Sequence, residues 1–451
     1  MRICYVAYQF WPSIGGSQAQ AEKQAGYLSQ QGQEVMVVTL RHQKEWPARE
    51  LYRSFSIIRV GGWYRHGGTL CAGRYAYLLV NVLFFFTLWR LRHHYDLIHT
   101  FQFSPQAAVA TLIGKLTHKP VILGVQSTGP YEPLENLLPQ DLSKESAQVD
   151  EPGACGKKAS HIKAEVGGDL ALLQQMAWGG KRMVEYLRKA NVYYQILSSR
   201  SYQYLLQHQF RPERIIYIPN GVDTQRFYPL AWTRPEEMAQ RTERQFICVA
   251  RLEYAKGIDV LLRAWAEMMA LSPEWRRALH PRLRLVGDGS CRKQLEHLAR
   301  ELGIQESVEF CGSRLDVPAL LQDAWGFVLP SRWEGMPNAL LEAMACALPC
   351  IATRVSGSED VLEQAQNGLL VEAERPHQLA YALRLLLEDV DLAMHLGWAG
   401  YETVLRYYQL STTVQGCVAF YRYLLSRETA HRIWPDAVQF DDLSPWRQGY
   451  E

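Results

Sequence analysis

The chain has 451 residues, with 48 Lys and Arg against 46 Asp and Glu, a formal net charge of +2 and 48% hydrophobic residues. That length and composition exclude a single small module stapled by disulfides or a metal, and allow two or three globular domains. The near-neutral total also argues against a dedicated nucleic-acid binder, which carries a strong basic excess.

In chain order, RICYVAY predicts a strand, SQAQAEKQAGYLSQQG a helix closed by Gly32, and EVMVVTL a second strand. This is a βαβ unit of a parallel sheet. No basic segment, apolar core and cleavage site follow one another at the start, so no secretory leader is expected. The apolar run AYLLVNVLFFFTLW (residues 76–89) is shorter than the ~20 residues of a spanning helix and predicts a buried or interfacial helix. DLIHTF, a helix around QAAVATLIGKL, PVILGV, VYYQILSS and RIIYIP continue the alternation, while residues 131–180 lose periodicity and read as a long loop or lid.

Residues 225–242, rich in Pro, Arg and Glu, suit a linker. A second series follows: the strands QFICVA, RLRLVG, SVEFCG, GFVLP, PCIAT and GLLVE, separated by helical patterns. The expectation is an α/β chain of two tandem doubly wound, Rossmann-like domains facing a cleft, 1–224 and 243–408. The helix in 409–451, TTVQGCVAFYRYLLSR, is expected to pack back on the first domain. Nine cysteines, an odd number without a Cys-x-x-Cys pair, suit reduced thiols and a cytoplasmic protein.

Ligands of open parallel sheets lie beyond the carboxyl ends of the strands, so the loops there hold the candidate chemistry. Gly15 and Gly16 precede a helix whose free amides suit a phosphate, or else form a tight turn needing positive φ. Arg251 and Lys256, with Gly257 after them, suit a diphosphate clamp. Gly287, Asp288 and Gly289 would let the backbone approach a ligand closely. In PSRWEGMPNALLEAMA, Glu334 sits in the loop and Glu342 eight residues later, two turns into a helix starting near Pro337 or Asn338. The two carboxylates can accept sugar hydroxyls, and the amides around Asn338 and Ala339 can hold a phosphate.

With WPSIGG, YDLIH, IPNGVDTQRF, ARLEYAKG, LVGDG and the two-glutamate segment, nearly the whole chain resembles the retaining GT-B glycosyltransferases of family four. The resemblance implies that Gly16 contacts the donor's diphosphate or sugar. It implies too that Arg251 and Lys256 neutralise the leaving diphosphate, and that Glu334 holds sugar hydroxyls and Glu342 the ribose. CGSRLD would line the nucleobase pocket through Ser313 or Arg314, and Gly335 and Met336 would belong to the donor loop. Many relatives carry a histidine after the strand matching PVILGV; here Gln126, Ser127, Thr128 and Gly129 stand instead, leaving only polar sugar or acceptor contacts.

The implied reaction is transfer of a hexosyl unit from a UDP- or GDP-linked sugar to a glycan or lipid-linked acceptor, in polysaccharide or glycolipid synthesis. No cofactor is expected, and no metal either, since no Asp-x-Asp pair is present and His93, His94 and His99 have no matching carboxylates. Two other readings share the fold: a sugar-nucleotide epimerase or phosphorylase, and an idle binding protein of a glycan-assembly complex. Finally, residues 41–119 hold eleven Lys and Arg against three carboxylates, a local +8 that leaves −6 elsewhere. Basic charge beside the apolar run predicts transient contact with an anionic membrane.

Overall fold

The computed structural model describes residues 1–12, 15–65, 70, 74–127, 173, 179–230, 243–270 and 279–426. These fall into two compact units, one made of residues up to 220 together with 410–426, the other of residues 221–409.

The first unit holds an eight-stranded sheet. Its strands are β1 (Arg2–Ala7), β2 (Glu34–Leu40), β3 (Arg49–Tyr52), β4 (Phe55–Val60), β5 (Leu97–Thr100), β6 (Val121–Gly124), β7 (Tyr193–Ile196) and β8 (Ile215–Tyr217). They lie in the order β3-β4-β2-β1-β5-β6-β7-β8, parallel except for the β3/β4 pair. That antiparallel edge hairpin, turning at Arg53 with φ 53°, is absent from the sequence expectation because RELY is polar and short. The helices are α1 (Gly16–Gln30), α2 (Arg74–Arg90), α3 (Pro105–Thr117), α4 (Gly180–Lys189) and α5 (Ser199–Gln207). Strands β5 and β6 are buried at every position, as parallel strands covered on both faces must be.

The final helix, here numbered α13 (Leu410–Leu425), returns to this unit and packs on α1. It buries Leu410, Val414, Cys417, Phe420 and Tyr421 among Ile3, Tyr5, Ala21 and Ala25. The expected return of the last helix to the N-terminal domain is therefore observed. At its centre the Tyr421 hydroxyl lies 2.6 Å from His99 Nδ1 and 3.3 Å from the Tyr5 hydroxyl. Burial pulls His99 down to about 4, partly offset by hydrogen bonding to Gln195. His99 thus serves as a structural histidine, while His93 and His94 are exposed.

The second unit holds six parallel strands in the order β11-β10-β9-β12-β13-β14. They are β9 (Gln245–Val249), β10 (Arg282–Val286), β11 (Val308–Gly312), β12 (Gly326–Leu329), β13 (Cys350–Thr353) and β14 (Leu369–Val371), all six expected from sequence. Connecting helices are α6 (Ile258–Ala270), α7 (Arg292–Glu301), α8 (Val317–Asp323), α9 (Asn338–Ala345) and the short α10 (Ser358–Val361), followed by α11 (Pro376–Glu388) and α12 (Val390–Tyr407). A core of Phe246, Leu261, Trp265, Leu283, Leu285 and Leu383 fixes this sheet against its helices. Six of the described cysteines, Cys4, Cys248, Cys311, Cys346, Cys350 and Cys417, are free thiols.

Candidate active site

In the six-stranded sheet the chain runs from β9 outward to β10 and β11, then returns to start β12 on the other side of β9. The loops after β9 and β12 therefore diverge around a crevice at the strands' carboxyl ends, where ligands bind in such sheets. The first loop closes in a short turn, Tyr254–Lys256, capped by Gly257 at φ 59°. A Cβ on Gly257 would stand 2.1 Å from the Pro330 carbonyl oxygen, so only glycine lets the two loops meet here.

Lys256 Nζ then lies 2.5 Å from Glu334 Oε1, and the Ser331 hydroxyl donates to the same oxygen at 2.6 Å. Glu334 is only 8% exposed. Burying a carboxylate so far from water is costly unless it is paired, and this cation and this donor supply the pairing. Arg251, in the same loop as Lys256, is exposed; its carbonyl accepts from the Glu253 amide at 2.8 Å, but its side chain has no hydrogen bond or ion pair among the described residues. One cation is thus pre-paired and one is open to an incoming anion.

A residue the sequence reasoning passed over holds the loops together. Arg332 pairs with both oxygens of Asp259 at 2.8 Å, donates to the Tyr254 carbonyl at 2.7 Å and stacks 3.9 Å over the Tyr254 ring. It also pairs with Glu374. Burial alone would lower the Arg332 guanidinium, but the Asp259 carboxylate outweighs it and the net shift is upward; Asp259 is held below its ordinary range in turn. Its signal, an arginine two residues before Glu334, was visible but indistinguishable from a surface charge.

The third loop, after β10, has a different reason for its glycines. Cβ atoms on Gly287 and Gly289 would come within 1.9 Å of the Ala250 carbonyl oxygen and 2.4 Å of the Leu252 carbonyl oxygen. Both glycines thus lie against the Arg251 loop, which the Leu252 amide fastens by donating to the Asp288 carbonyl at 3.0 Å. Asp288 itself pairs with Arg292 at 3.3 Å. After β11, Ser313 is exposed, while Arg314 is tied bidentately to Asp316 at 2.8 and 2.6 Å, so its charge is already spent.

Helix α9 begins at Asn338 with Pro337 as its cap residue. Glu342 is therefore its fifth residue, little more than one turn in, which corrects the expected two turns. Gly335 and Met336 are pressed by Gly357 after β13, whose added Cβ would lie 2.3 Å from the Gly335 carbonyl oxygen. Gly357, at φ 79°, is a second residue that the sequence did not reveal. The Ala339 amide, at the helix start, has no partner among the described residues and is available to an anion.

In the eight-stranded sheet the equivalent crevice opens between β1 and β5. Gly15 caps α1 in extended backbone, φ −177°, and Gly16 begins the helix, so the tight-turn reading of this pair does not hold. Instead Gly15 leaves space for Gln18, whose Oε1 would lie 2.2 Å from an added Cβ. Gln18 receives the Ser17 hydroxyl at 3.1 Å and donates to Gln9 at 3.3 Å, and Gln102, after β5, donates to Ser17 at 3.4 Å. Gln126 and Ser127, after β6, are half-buried; Thr128 lies outside the described residues.

Compared with known proteins, residues 14–226 match Glycosyltransferase Family 4 and residues 233–403 match Glycosyl transferases group 1. An uncharacterized glycosyltransferase of Haemophilus influenzae is 30% identical over 43% of this chain and 51% of its own length. A GDP-mannose-dependent alpha-(1-6)-phosphatidylinositol monomannoside mannosyltransferase of Mycolicibacterium smegmatis is 31% identical over 44% and 53%. The chain thus spans about half the length of the curated relatives it matches. Among solved structures, sucrose-phosphate synthase of Thermosynechococcus elongatus superposes with a TM-score of 0.70 at 21% identity, covering 94% of this chain and 99% of that one.

Proposed function

The chain belongs to the family 4, group 1 glycosyltransferases, and on that premise we propose that it is a retaining hexosyltransferase. It moves a sugar from a UDP- or GDP-linked donor to a glycan or lipid-linked acceptor in polysaccharide or glycolipid synthesis. The observation that carries this reading is the buried Lys256–Glu334 contact at the β9/β12 crevice, with Arg251 open beside it in sequence. The six-stranded unit takes the donor, and the eight-stranded unit takes the acceptor.

In the reaction the bond between the sugar's anomeric carbon and the phosphate oxygen breaks, and the leaving diphosphate takes the electron pair. Arg251, Lys256 and the amide of Ala339 stabilise the charge that builds there. Glu334, released from Lys256 as the phosphate engages that ammonium, accepts hydroxyls of the donor sugar, and Glu342 those of the ribose. The acceptor oxygen bonds to the anomeric carbon on the face the phosphate leaves, and its proton passes to the departing phosphate oxygen, so configuration is retained. With these cations supplying the counter-charge, the proposal calls on no metal ion and no cofactor. Work at the cytoplasmic face of an anionic membrane belongs to the same reading.

The test is a panel of UDP- and GDP-sugars followed for donor hydrolysis or transfer, with the product's anomeric configuration read by NMR and the rate compared with and without EDTA. Expected are activity with one donor, retention, and indifference to EDTA. Full activity in both Lys256→Ala and Glu334→Ala would overturn the site.

A further inference from the structure

Helix α2 is apolar on every side, the pattern of a helix buried all round, yet among the described residues only one side of it is covered. Val80, Phe84 and Leu88, four residues apart, are fully buried in the first unit's core. On the opposite face Tyr75, Leu78, Val82, Phe86 and Trp89, spaced three or four apart, form one stripe in solvent, with Tyr75 75% and Phe86 60% exposed. Isolated exposed apolar side chains are ordinary; five large ones in a row on one helix face mark a contact surface.

Charge selects the occupant. From residue 51 to residue 95 there are six arginines and no Asp or Glu; Arg53 and Arg59 are paired with Glu22 and Glu50, so the selection rests on the others. Arg90 is exposed at the end of the stripe, Arg92 stacks 4.7 Å over the Trp89 ring, and Arg65 is exposed in the preceding segment. Their hydrocarbon stems can lie along the apolar surface while the guanidinium groups reach phosphate. A second copy of this chain would bring the same cations against one another, whereas an anionic bilayer presents apolar depth beneath negative headgroups. No helix among the described residues is long and apolar enough to cross a membrane, so α2 would lie in the interface rather than span it.

We infer that the stripe on α2 docks on the surface of a bilayer containing anionic phospholipid, seating the eight-stranded unit where a lipid-linked acceptor is presented. This deepens the proposed function by naming the surface, and rests on it only for the acceptor.

The experiment is sedimentation of the full chain at low salt with vesicles of phosphatidylcholine alone, or of phosphatidylcholine and phosphatidylglycerol in equal amounts. Wild type should pellet with the mixed vesicles and stay in solution with the neutral ones. The double variant Val82→Ser/Phe86→Ser should lower the bound fraction at least about tenfold. Arg90→Glu/Arg92→Glu should weaken binding by a similar factor and flatten its salt dependence. Equal pelleting of wild type and the Val82→Ser/Phe86→Ser variant overturns the inference. So does a wild-type dimer in light scattering that this variant abolishes, since the occupant is then a second copy. Calorimetry of donor binding without vesicles separates the two readings. It should be unchanged in both variants, and its absence in wild type would sink the proposed function while leaving the docking surface standing.

Discussion

At the β9/β12 crevice a lysine and a buried glutamate meet at 2.5 Å over a serine hydroxyl, whereas the loops around the β1/β5 crevice offer Gln9, Ser17, Gln18 and Gln102. Each crevice opens where the strand order of its parallel sheet reverses, and the chemistry is opposite. A departing diphosphate needs full charges fixed in advance, because solvent would otherwise have to reorganise in the transition state. A sugar acceptor has no charge to match, and amides and hydroxyls bonded to each other at 3.3 and 3.4 Å exchange partners cheaply with its hydroxyls. Under the proposed function the two units divide the labour, with rate built into one and selectivity into the other.

The largest effect that could break this comparison is at Lys256. Lys256→Ala removes a cation from the leaving group and strands Glu334 without its partner. We expect kcat to fall about 10²–10³-fold, with a smaller change in KM for the acceptor. Steady-state kinetics with the active donor measures both. A comparable loss in kcat from Gln18→Ala would erase the distinction between the crevices.

Acid should separate the two units next. His99 sits at about 4 in the fold against about 6.5 when unfolded, so the unfolded chain binds the extra proton. The stability this provides is complete above pH 6.5 and is lost as pH falls toward 4, by roughly 3 kcal/mol for a buried group with that shift. Asp259 is depressed instead, so its contribution is present above its unfolded value near pH 3.9 and is lost only below that. Urea midpoints at pH 7 and pH 4.5 should therefore fall more for probes in the first unit. In His99→Gln the difference between the two pH values should shrink, and an unchanged acid slope in that variant would remove His99 as its cause.

How much of this was legible beforehand depended on whether a residue acts through pattern or through packing. Strands β9, β12, β13 and β14 showed as apolar runs because they are covered on both faces, while β10 and β11, toward the sheet's edge, showed through the alternation in RLRLV and VEF. Lys256 and Glu334 showed as charges after strands, seventy-eight residues apart in sequence yet adjacent across the switch point. Arg332 and Gly357 did not show. Their roles depend on the Tyr254 ring and the Gly335 carbonyl being next to them, which only the folded chain decides. The solvent-facing stripe on α2 was half legible: the apolar run predicted a helix, but which of its sides the core would leave open was a matter of tertiary packing.

Arg332 tests whether the charged crevice is held by its own staple. Arg332→Leu leaves Asp259 and Glu374 without their cation and frees the side chain's one backbone contact between the loops, to the Tyr254 carbonyl. Because Asp259 is partly exposed, we expect a loss of about 2 kcal/mol in the urea midpoint rather than the larger cost of a fully buried pair. The kcat should fall with it even under conditions where the variant is fully folded, while Arg332→Lys restores some stability but little rate, since a lysine cannot bridge Asp259 bidentately. Full rate in the folded leucine variant would show that Lys256 and Glu334 keep their places unaided.

The smallest effect is expected in the neutral crevice, and it comes with an internal check. Gln18→Ala removes a group bonded to Ser17 and Gln9, so acceptor KM should rise about two- to tenfold, the value of one neutral hydrogen bond, with donor hydrolysis unchanged. Gly15→Ala should do the same more weakly. Its backbone is extended and tolerates alanine, but the new Cβ would stand 2.2 Å from Gln18 Oε1 and push that side chain aside. The two substitutions act on one group, so the double variant should be no worse than Gln18→Ala alone. Additive losses would mean that Gly15 matters for its own backbone, and the contrast between a charged and a neutral crevice would have to be redrawn around a phosphate at the start of α1.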